Sequence, residues 1–195
     1  MLKGPIVELP AMLARREQRA AEQAAFLTQY QTPLLSFCLN IPGPVKTTPE
    51  LRQVFDQAMQ EIRQKLQQEH IPILAQNECH AATGDECLLA LDGEAAKIKK
   101  LMTRIEETHI LGRLFDIDVL DAKGQKLSRD MPRRCLLCDK QAQVCARSRR
   151  HSVPELTHRI EEMIAAYAQP SFLFIIIKKS PCKTALLQGL FFTII

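Results

Sequence analysis

Two aspartates near the middle of the chain have the spacing of a carboxylate pair that binds a divalent metal ion. Asp116 and Asp118 lie in the apolar run 114–120, which predicts a β-strand. Alternate residues of a strand point to the same side, so both carboxylates are expected on one face, about 7 Å apart at their Cα atoms. Such a pair can hold one or two Mg²⁺ ions that bridge phosphate oxygens. The alternative interpretation is an amphipathic strand with a polar outer face.

Residues just before this strand can extend the site. Gly112 would let the backbone approach a phosphate, and Arg113 would add a charge-assisted contact to it. His109 could serve as a general base, because the usual pKa of a histidine lies in the useful range. A histidine at the end of a helix more often has a capping or packing role, so both interpretations of His109 stay open.

A group of cysteines and a histidine follows the aspartate strand. Cys135, Cys138, Cys145 and His151 have the spacing C-x2-C-x6-C-x5-H. Three thiolates and one imidazole can complete a closed tetrahedral Zn²⁺ site. Two other interpretations remain, namely buried thiols that pack as small apolar side chains and a redox-active C-x-x-C pair.

Arginines are concentrated around these cysteines, in a pattern too polar and irregular for a core face. Their side chains can bind the phosphates of a ligand whose metal ion is held by Asp116 and Asp118. A solvated basic loop is the alternative. The arginines are Arg129, Arg133, Arg134, Arg147, Arg149 and Arg150.

Composition places limits on the class of protein. The chain has 195 residues and a net charge of +4, from 26 basic and 22 acidic residues. That charge is too small to indicate a nucleic-acid partner by itself. No apolar segment of a signal peptide follows Met1, which favours a cytoplasmic location, and the seven cysteines are therefore expected to be thiols.

Helices and antiparallel-looking strands alternate irregularly, which favours a single α+β domain whose mixed or antiparallel sheet is packed by about four helices. The first helix is predicted at 9–30, with an apolar stripe of Leu13, Ala20, Ala24 and Leu27. Further helices are expected to begin with Thr48 as N-cap, with Asp92 as N-cap, and at a capping box of Ser152 and Glu155. The predicted strands are 34–41, 73–82, 86–91, 114–120 and a returning strand at 125–129, whereas 133–149 resists assignment.

The C-terminal segment differs from the rest. Residues 170–195 form an apolar tail interrupted at Lys178 and Lys179, and neither half reaches the roughly 20 residues needed to span a bilayer. The predicted organisation is a functional domain over 1–169 followed by this atypical tail, with no membrane partner.

The residues already discussed also carry a family resemblance. The runs Gly112-Arg113-Leu114-Phe115-Asp116-Ile117-Asp118-Val119, Arg134-Cys135-Leu136-Leu137-Cys138 and Cys145-Ala146-Arg147 resemble the apo-citrate lyase phosphoribosyl-dephospho-CoA transferases, also called holo-citrate lyase acyl-carrier-protein synthases. The segments Leu34-Leu35-Ser36-Phe37 and Pro42-Gly43-Pro44-Val45-Lys46 are similar to that family as well. The resemblance covers roughly 8–167. Ile110 and Phe115 depart from it, standing where proline and tryptophan are common.

The resemblance implies a nucleotidyltransferase-like fold and a defined reaction. The substrate would be 2′-(5″-triphosphoribosyl)-3′-dephospho-CoA, and its phosphoribosyl-dephospho-CoA part would pass to a serine on the acyl carrier protein subunit of citrate lyase. Diphosphate would leave. Asp116, Asp118 and Arg113 would then be catalytic, with an expected Mg²⁺ ion on the two aspartates. Gly112, Arg133, Arg134, Arg147 and Arg149 would bind substrate phosphates.

Two other functions are alternatives to this one. A zinc-stabilised basic module would bind nucleic acid or an acidic protein, whereas the transferase interpretation expects no nucleic-acid partner. An assembly factor would dock the carrier protein without catalysis. Zinc content, salt-dependent nucleic-acid affinity and diphosphate release distinguish the three.

Overall fold

A four-stranded antiparallel sheet with helices on its faces forms the fold. The computed structural model describes residues 2–168. The elements are α1 (Leu9–Tyr30), β1 (Leu34–Leu39), α2 (Pro49–Gln68), β2 (Ile73–Ala81), β3 (Gly84–Leu91), α3 (Ala95–Thr108), a 3₁₀ turn (Gly112–Leu114), β4 (Phe115–Leu120), α4 (Ala142–Arg147) and α5 (Val153–Ala168). The strands pair in the order β2-β3-β1-β4, so β1 and β3 are central and β4 is an edge strand. The expected α+β architecture is confirmed, while a nucleotidyltransferase-like topology stays a prediction.

One face of the sheet carries the hydrophobic core. Phe37 of β1 lies opposite Ile117 of β4, and both are buried. The ring of Phe37 stacks on Phe55 of α2 at 5.0 Å and meets Phe115 edge-on at 5.8 Å. Helices α2 and α3 cover this face with apolar side chains at helical spacing. The core thereby fixes the side on which every second residue of β4 must lie.

Helix α1 packs on the other face, and it does so through polar side chains. The predicted apolar stripe is wrong, because Leu13 is 47% exposed and both Ala20 and Ala24 are exposed. The one α1 residue that is buried is Arg15. This face of the sheet presents Ser36 and other polar groups, so a helix that packs on it must supply hydrogen-bonding partners.

Local signals at the helix starts were partly reliable. Thr48 caps α2 by accepting a hydrogen bond from Leu51 N at 3.2 Å, and Ser152 and Glu155 form the expected capping box. Asp92 does not cap α3, which begins after Glu94. The Asp92 backbone N–H instead donates to Pro72 O at 3.0 Å, tying the loop to the chain before β2.

The predicted returning strand after β4 is reduced to a short contact. Leu120 bridges Lys126, and Leu127 N donates to Val119 O at 2.8 Å. Beyond that point the chain leaves the sheet edge, because Arg129 and Arg133 turn toward Glu106 of α3. The antiparallel ladder is therefore not continued.

The C-terminal tail predicted for 170–195 lies outside the described residues. Across residues 2–168, no helix combines the length and the apolar character required to cross a membrane.

Candidate active site

The two aspartates of β4 lie on one face of the sheet, as the period of a strand predicts. Phe115, Ile117 and Val119 are buried in the core, and the intervening Asp116 and Asp118 are partly exposed on the opposite side. Their side chains are 47% and 29% exposed, respectively. The core residues hold the backbone of β4 in place, so both carboxylates point toward the α1 side of the sheet.

A basic side chain lies near each aspartate. Lys126 Nζ is 2.6 Å from Asp118 Oδ2, and Arg133 Nη1 is 4.0 Å from Asp116 Oδ1. Mg²⁺ commonly binds one or two protein carboxylates together with substrate phosphates and water. Two same-face carboxylates that remain open to solvent fit that donor set. The basic neighbours would at the same time attract an anionic substrate.

No third acidic side chain joins Asp116 and Asp118 in a metal-sized cluster within the described part of the chain. Three carboxylates of the β2–β3 hairpin, those of Glu78, Asp85 and Glu86, are separated from β4 by β1. Glu78 pairs with Arg63, and the buried Asp85 pairs with Arg52. The third, Glu86, lies on the same face as the aspartates.

Glu86 is held by two arginines of α1 that the sequence pattern did not single out. Arg15 Nη2 is 2.7 Å from Glu86 Oε2, and Arg19 Nη1 is 3.1 Å from Glu86 Oε1. A hydrogen bond to Glu22 and the charge of Glu86 raise the pKa of Arg15 against the effect of burial. Both oxygens of Glu86 are therefore engaged by cations. Its role is to anchor α1 rather than to complete a metal site.

The ion pairs of Glu86 with Arg15 and Arg19 lie beside the aspartates, as the position of Cys38 shows. Cys38 lies between Glu86 and Asp116 in the strand register, and Arg19 Nη1 is 3.5 Å from its Sγ. Burial, with a smaller effect from the charge of Asp116, raises the pKa of the thiol to about 11. The thiol is thus protonated near neutral pH. Arg19 extends the basic surroundings of the aspartates, and its i, i+4 spacing from Arg15 was the available sequence signal.

Arg133 binds a buried carboxylate. Its guanidinium contacts Glu106 Oε1, and Arg129 Nη2 lies 3.1 Å from Glu106 Oε2. Glu106 Oε1 also accepts a hydrogen bond from Ile117 N at 3.0 Å. Burial raises the pKa of the Glu106 carboxyl, and the arginines oppose that rise. Glu106 thus joins the edge of β4 to the arginine segment and keeps Arg133 close to Asp116.

The remaining predicted phosphate ligands are divided between a cavity and the surface. Arg113 donates to the carbonyl oxygen of Arg134, and its side chain lines a cavity of about 510 Å³ together with Arg149. Burial, with smaller effects from nearby arginines, lowers the pKa of Arg113. The side chains of Arg134 and Arg147 are exposed. Their binding of phosphate stays a prediction.

This cavity is mainly apolar. It lies between the start of β4, helix α4 and the first turns of α5. Its volume is in the range of small-molecule sites. Its lining includes Pro42, Leu114, Leu136, Leu156 and Ile160.

The four predicted zinc ligands come together. Cys138 Sγ lies 3.6 Å from Cys145 Sγ and 3.4 Å from His151 Nε2. The ligand atoms of all four residues, with Cys135 as the fourth, lie within 4.8 Å of one another.

Gly112 is required for packing. A Cβ atom here would lie 2.4 Å from the backbone oxygen of Glu106. The close approach that demands glycine is therefore to helix α3. A phosphate contact by Gly112 is not excluded by this packing and stays a prediction.

His109 lies among aromatic rings on the core side of β4, and its Nε2 atom is 3.6 Å from Glu61 Oε2. Its ring is 4.8 Å from Phe115 and 5.6 Å from Tyr167, and Nδ1 accepts a hydrogen bond from Leu111 N at 2.9 Å. Burial lowers its pKa to about 4. These contacts favour the packing interpretation over a general base at the aspartates.

An α+β domain with two partly exposed carboxylates, surrounding cations and an adjacent cavity has the features of an enzyme that acts on a phosphorylated substrate. Comparison with known proteins identifies the family of enzymes. A protein of Vibrio cholerae serotype O1 (strain M66-2), named as a probable apo-citrate lyase phosphoribosyl-dephospho-CoA transferase, is 40% identical over 167 residues, covering 83% of this chain and 94% of that protein. Proteins of Escherichia coli O1:K1 / APEC and Shigella flexneri serotype 5b (strain 8401), named as apo-citrate lyase phosphoribosyl-dephospho-CoA transferases, are 36% identical over 162 residues, covering 81% of this chain and 88% of each.

The family model for apo-citrate lyase phosphoribosyl-dephospho-CoA transferases matches residues 7–167. This chain belongs to that family of transferases, which confirms the resemblance seen in the sequence. Membership favours an enzyme over a basic binding module. The matched range includes both aspartates, the arginine segment and the four possible zinc ligands.

Proposed function

We propose that this protein transfers the phosphoribosyl-dephospho-CoA group of 2′-(5″-triphosphoribosyl)-3′-dephospho-CoA to a serine of the acyl carrier subunit of citrate lyase. The observation that carries the proposal is the same-face pair Asp116 and Asp118, with Arg133 and Lys126 beside them, in a chain of this family. The partner supplies the nucleophile, so no activated serine or cysteine is needed here.

The reaction forms one bond and breaks one bond at phosphorus. The serine oxygen attacks the phosphorus atom nearest the ribose, and the bond from that phosphorus to the bridging oxygen of the next phosphate breaks. Diphosphate leaves with the bonding electron pair, and the proton of the serine hydroxyl goes to solvent. A phosphodiester then links the carrier to the prosthetic group.

The aspartates and their basic neighbours have separate tasks in this proposal. Asp116 and Asp118 would hold Mg²⁺, whose chemistry is to offset the negative charge of the phosphates. Arg133 and Lys126 lie where they can attract the triphosphate. Arg133 is kept in place by Glu106, so little ordering is needed when the substrate binds.

The cavity beside Arg113 is the proposed site of the dephospho-CoA part. Its apolar lining suits the pantetheine arm, and Arg113 and Arg149 can contact the phosphates that border that arm. Arg113 lies three residues before Asp116, so the same chain segment serves the cavity and the aspartate pair.

The test is a loading assay with purified components. The protein, Mg²⁺ and the triphosphoribosyl donor are mixed with apo carrier protein, and the carrier is weighed by mass spectrometry. The expected result is a mass increase of one phosphoribosyl-dephospho-CoA group on serine and release of diphosphate. Binding of the carrier without any mass increase would instead indicate an assembly factor and would overturn the proposal.

A further inference from the structure

We infer that Cys135, Cys138, Cys145 and His151 bind one structural Zn²⁺ ion, which shapes the arginine segment between β4 and α5. The inference does not depend on the transferase activity, since it concerns metal content. Three sulfurs and one imidazole, delivered by a loop, by α4 and by the residues before α5, meet within 4.8 Å of one another.

The distances suit a shared metal ion. With Zn–S bonds of about 2.3 Å and a Zn–N bond of about 2.1 Å, a tetrahedron places two sulfurs about 3.8 Å apart and sulfur and nitrogen about 3.6 Å apart. The Cys138–Cys145 and Cys138–His151 separations are 3.6 Å and 3.4 Å. A disulfide requires about 2.05 Å between its sulfurs, so these are separate thiols. The donor set is that of a closed structural zinc site.

The loop around Cys135 has the geometry of a zinc knuckle. Leu137 N lies 3.5 Å from Cys135 Sγ as a donor, and Cys135 N donates to Lys140 O at 2.7 Å. Arg134 bridges Gln141 in an antiparallel pair that closes the turn. Backbone N–H groups aimed at a cysteine sulfur stabilise its thiolate form, which is the form that binds metal.

Apolar burial alone gives little reason for this segment to fold. From residue 130 to residue 152, the one buried side chain is Cys145. A segment of this length with so small a core usually needs a disulfide or a metal ion for stability. The cysteines of the segment form no disulfide, so a metal ion is the remaining means of stabilising it. Binding of zinc would supply folding free energy directly.

The consequence for function lies in what the segment positions. The residue before Cys135 offers its carbonyl oxygen to Arg113, and Arg133 reaches Glu106. Cys135, Cys145 and His151 also form part of the cavity wall. Loss of the ion is therefore expected to disturb both the arginines beside Asp116 and the cavity.

The test is the metal content of the full chain, purified under reducing conditions after expression with added zinc. Elemental mass spectrometry is expected to give one zinc per chain for the wild type and a loss of zinc in Cys135→Ser and Cys138→Ser. Cys79→Ser is the matched control, because Cys79 is a partly exposed thiol of β2 outside the cluster, and it should keep the full zinc content.

A second measurement covers the case in which the cysteine variants do not fold. Replacement of zinc in the wild type by Co²⁺ is expected to give the visible absorption of a tetrahedral cobalt–thiolate centre. Removal of metal with a chelator should also speed trypsin cleavage after Arg133, Arg134 and Arg147. A wild type that contains no zinc and takes up neither zinc nor cobalt would overturn the inference. So would undiminished zinc in a folded Cys135→Ser protein.

Discussion

At the residue scale, the packing of α1 on the sheet depends on a charged cluster whose central pair is nearly closed to solvent. The side chains of Arg15 and Glu86 are 8% and 9% exposed, and Glu22 and Arg19 complete the cluster. Removing one partner from such a cluster leaves an uncompensated buried charge. The cluster therefore stabilises the packing of α1 only while all its members are present.

Arg15→Met is expected to lower the free energy of unfolding by about 3 kcal/mol, because Glu86 would keep only the single contact to Arg19. Urea denaturation followed by circular dichroism measures the change. Arg16→Met is the matched control, since Arg16 is exposed on the same helix, and a change of less than about 0.5 kcal/mol is expected there. Equal losses in the two variants would contradict this account of Arg15.

Sequence reasoning at this scale succeeded where the signal was local. The shared face of Asp116 and Asp118 follows from the two-residue period of a strand, and the capping box at Ser152 follows from its own four residues. The pairing of Arg15 with Glu86 spans 71 positions, and nothing in the local pattern indicates it. Helix α1 packs through polar side chains, so an apolar stripe does not indicate its packing face.

At the element scale, Glu106 connects α3, β4 and the arginine segment. Its carboxylate meets Ile117 N, Arg129 and Arg133 while its side chain is 3% exposed. Edge strands have unpaired backbone groups, and here a buried carboxylate accepts the hydrogen bond of one of them. The segment after β4 leaves the sheet edge because its arginines, Arg129 and Arg133, bind Glu106.

Glu106→Gln is expected to cost about 2–4 kcal/mol of unfolding free energy, because the neutral amide can accept from Ile117 N but cannot neutralise two arginines. The same urea titration gives the value, and faster trypsin cleavage at Arg133 reports on local loosening. Glu107→Gln is the control, as the Glu107 side chain is 58% exposed. An unchanged unfolding free energy and unchanged cleavage in Glu106→Gln would count against the connecting role.

Helix α4 offers a test of the cavity. Ala146 lines the cavity from this helix, and tryptophan at that position would fill part of the volume. Ala146→Trp is expected to raise the KM for the triphosphoribosyl donor about tenfold or more, equivalent to about 1.4 kcal/mol of lost binding. Val144 on the same helix is 50% exposed and is not part of the cavity lining, so Val144→Trp should leave KM unchanged. Equal effects of the two substitutions would place the dephospho-CoA part elsewhere.

At the scale of the whole molecule, burial of an uncharged histidine makes stability depend on pH. His109 packs between Phe115 and Tyr167, and its pKa is lowered from 6.5 to about 4 by burial. The unfolded chain therefore binds a proton more readily than the folded protein between these values. It follows that the contribution of His109 to stability is present above about pH 6.5 and is lost progressively toward about pH 4.

The His109 contribution is expected to fall by about 2 kcal/mol between pH 7 and pH 5. His109→Asn retains an acceptor for Leu111 N and removes the titration, so its stability should decline less over this range than that of the wild type. Burial also raises the pKa of Glu61, which lies 3.6 Å from His109, and of Glu106. These carboxyls act in the opposite direction, so the difference between the two proteins is the informative quantity. His158→Asn, at a 74% exposed side chain, should match the wild type. Parallel pH profiles for wild type and His109→Asn would contradict the account.

The sequence allowed the architecture of the whole molecule to be predicted in outline. Helices with clear apolar periodicity and a buried central strand indicated an α+β domain, and the family resemblance is confirmed over 7–167. The strand order was not predictable, because it depends on which antiparallel pairs meet across long loops. That order separates Glu78 and Asp85 from the aspartates and leaves Asp116 and Asp118 as the candidate Mg²⁺ ligands of the sheet.

The central claim is that Asp116 and Asp118 carry the transfer reaction, and the most direct measurement is the initial rate of carrier loading in Asp116→Asn and Asp118→Asn. Because both side chains lie on the partly exposed face of β4, folding should be retained and the rate should fall by about a hundredfold or more. The exposed Asp130→Asn should load at the wild-type rate. Folded Asp116→Asn and Asp118→Asn proteins that load the carrier as fast as the wild type would contradict the claim.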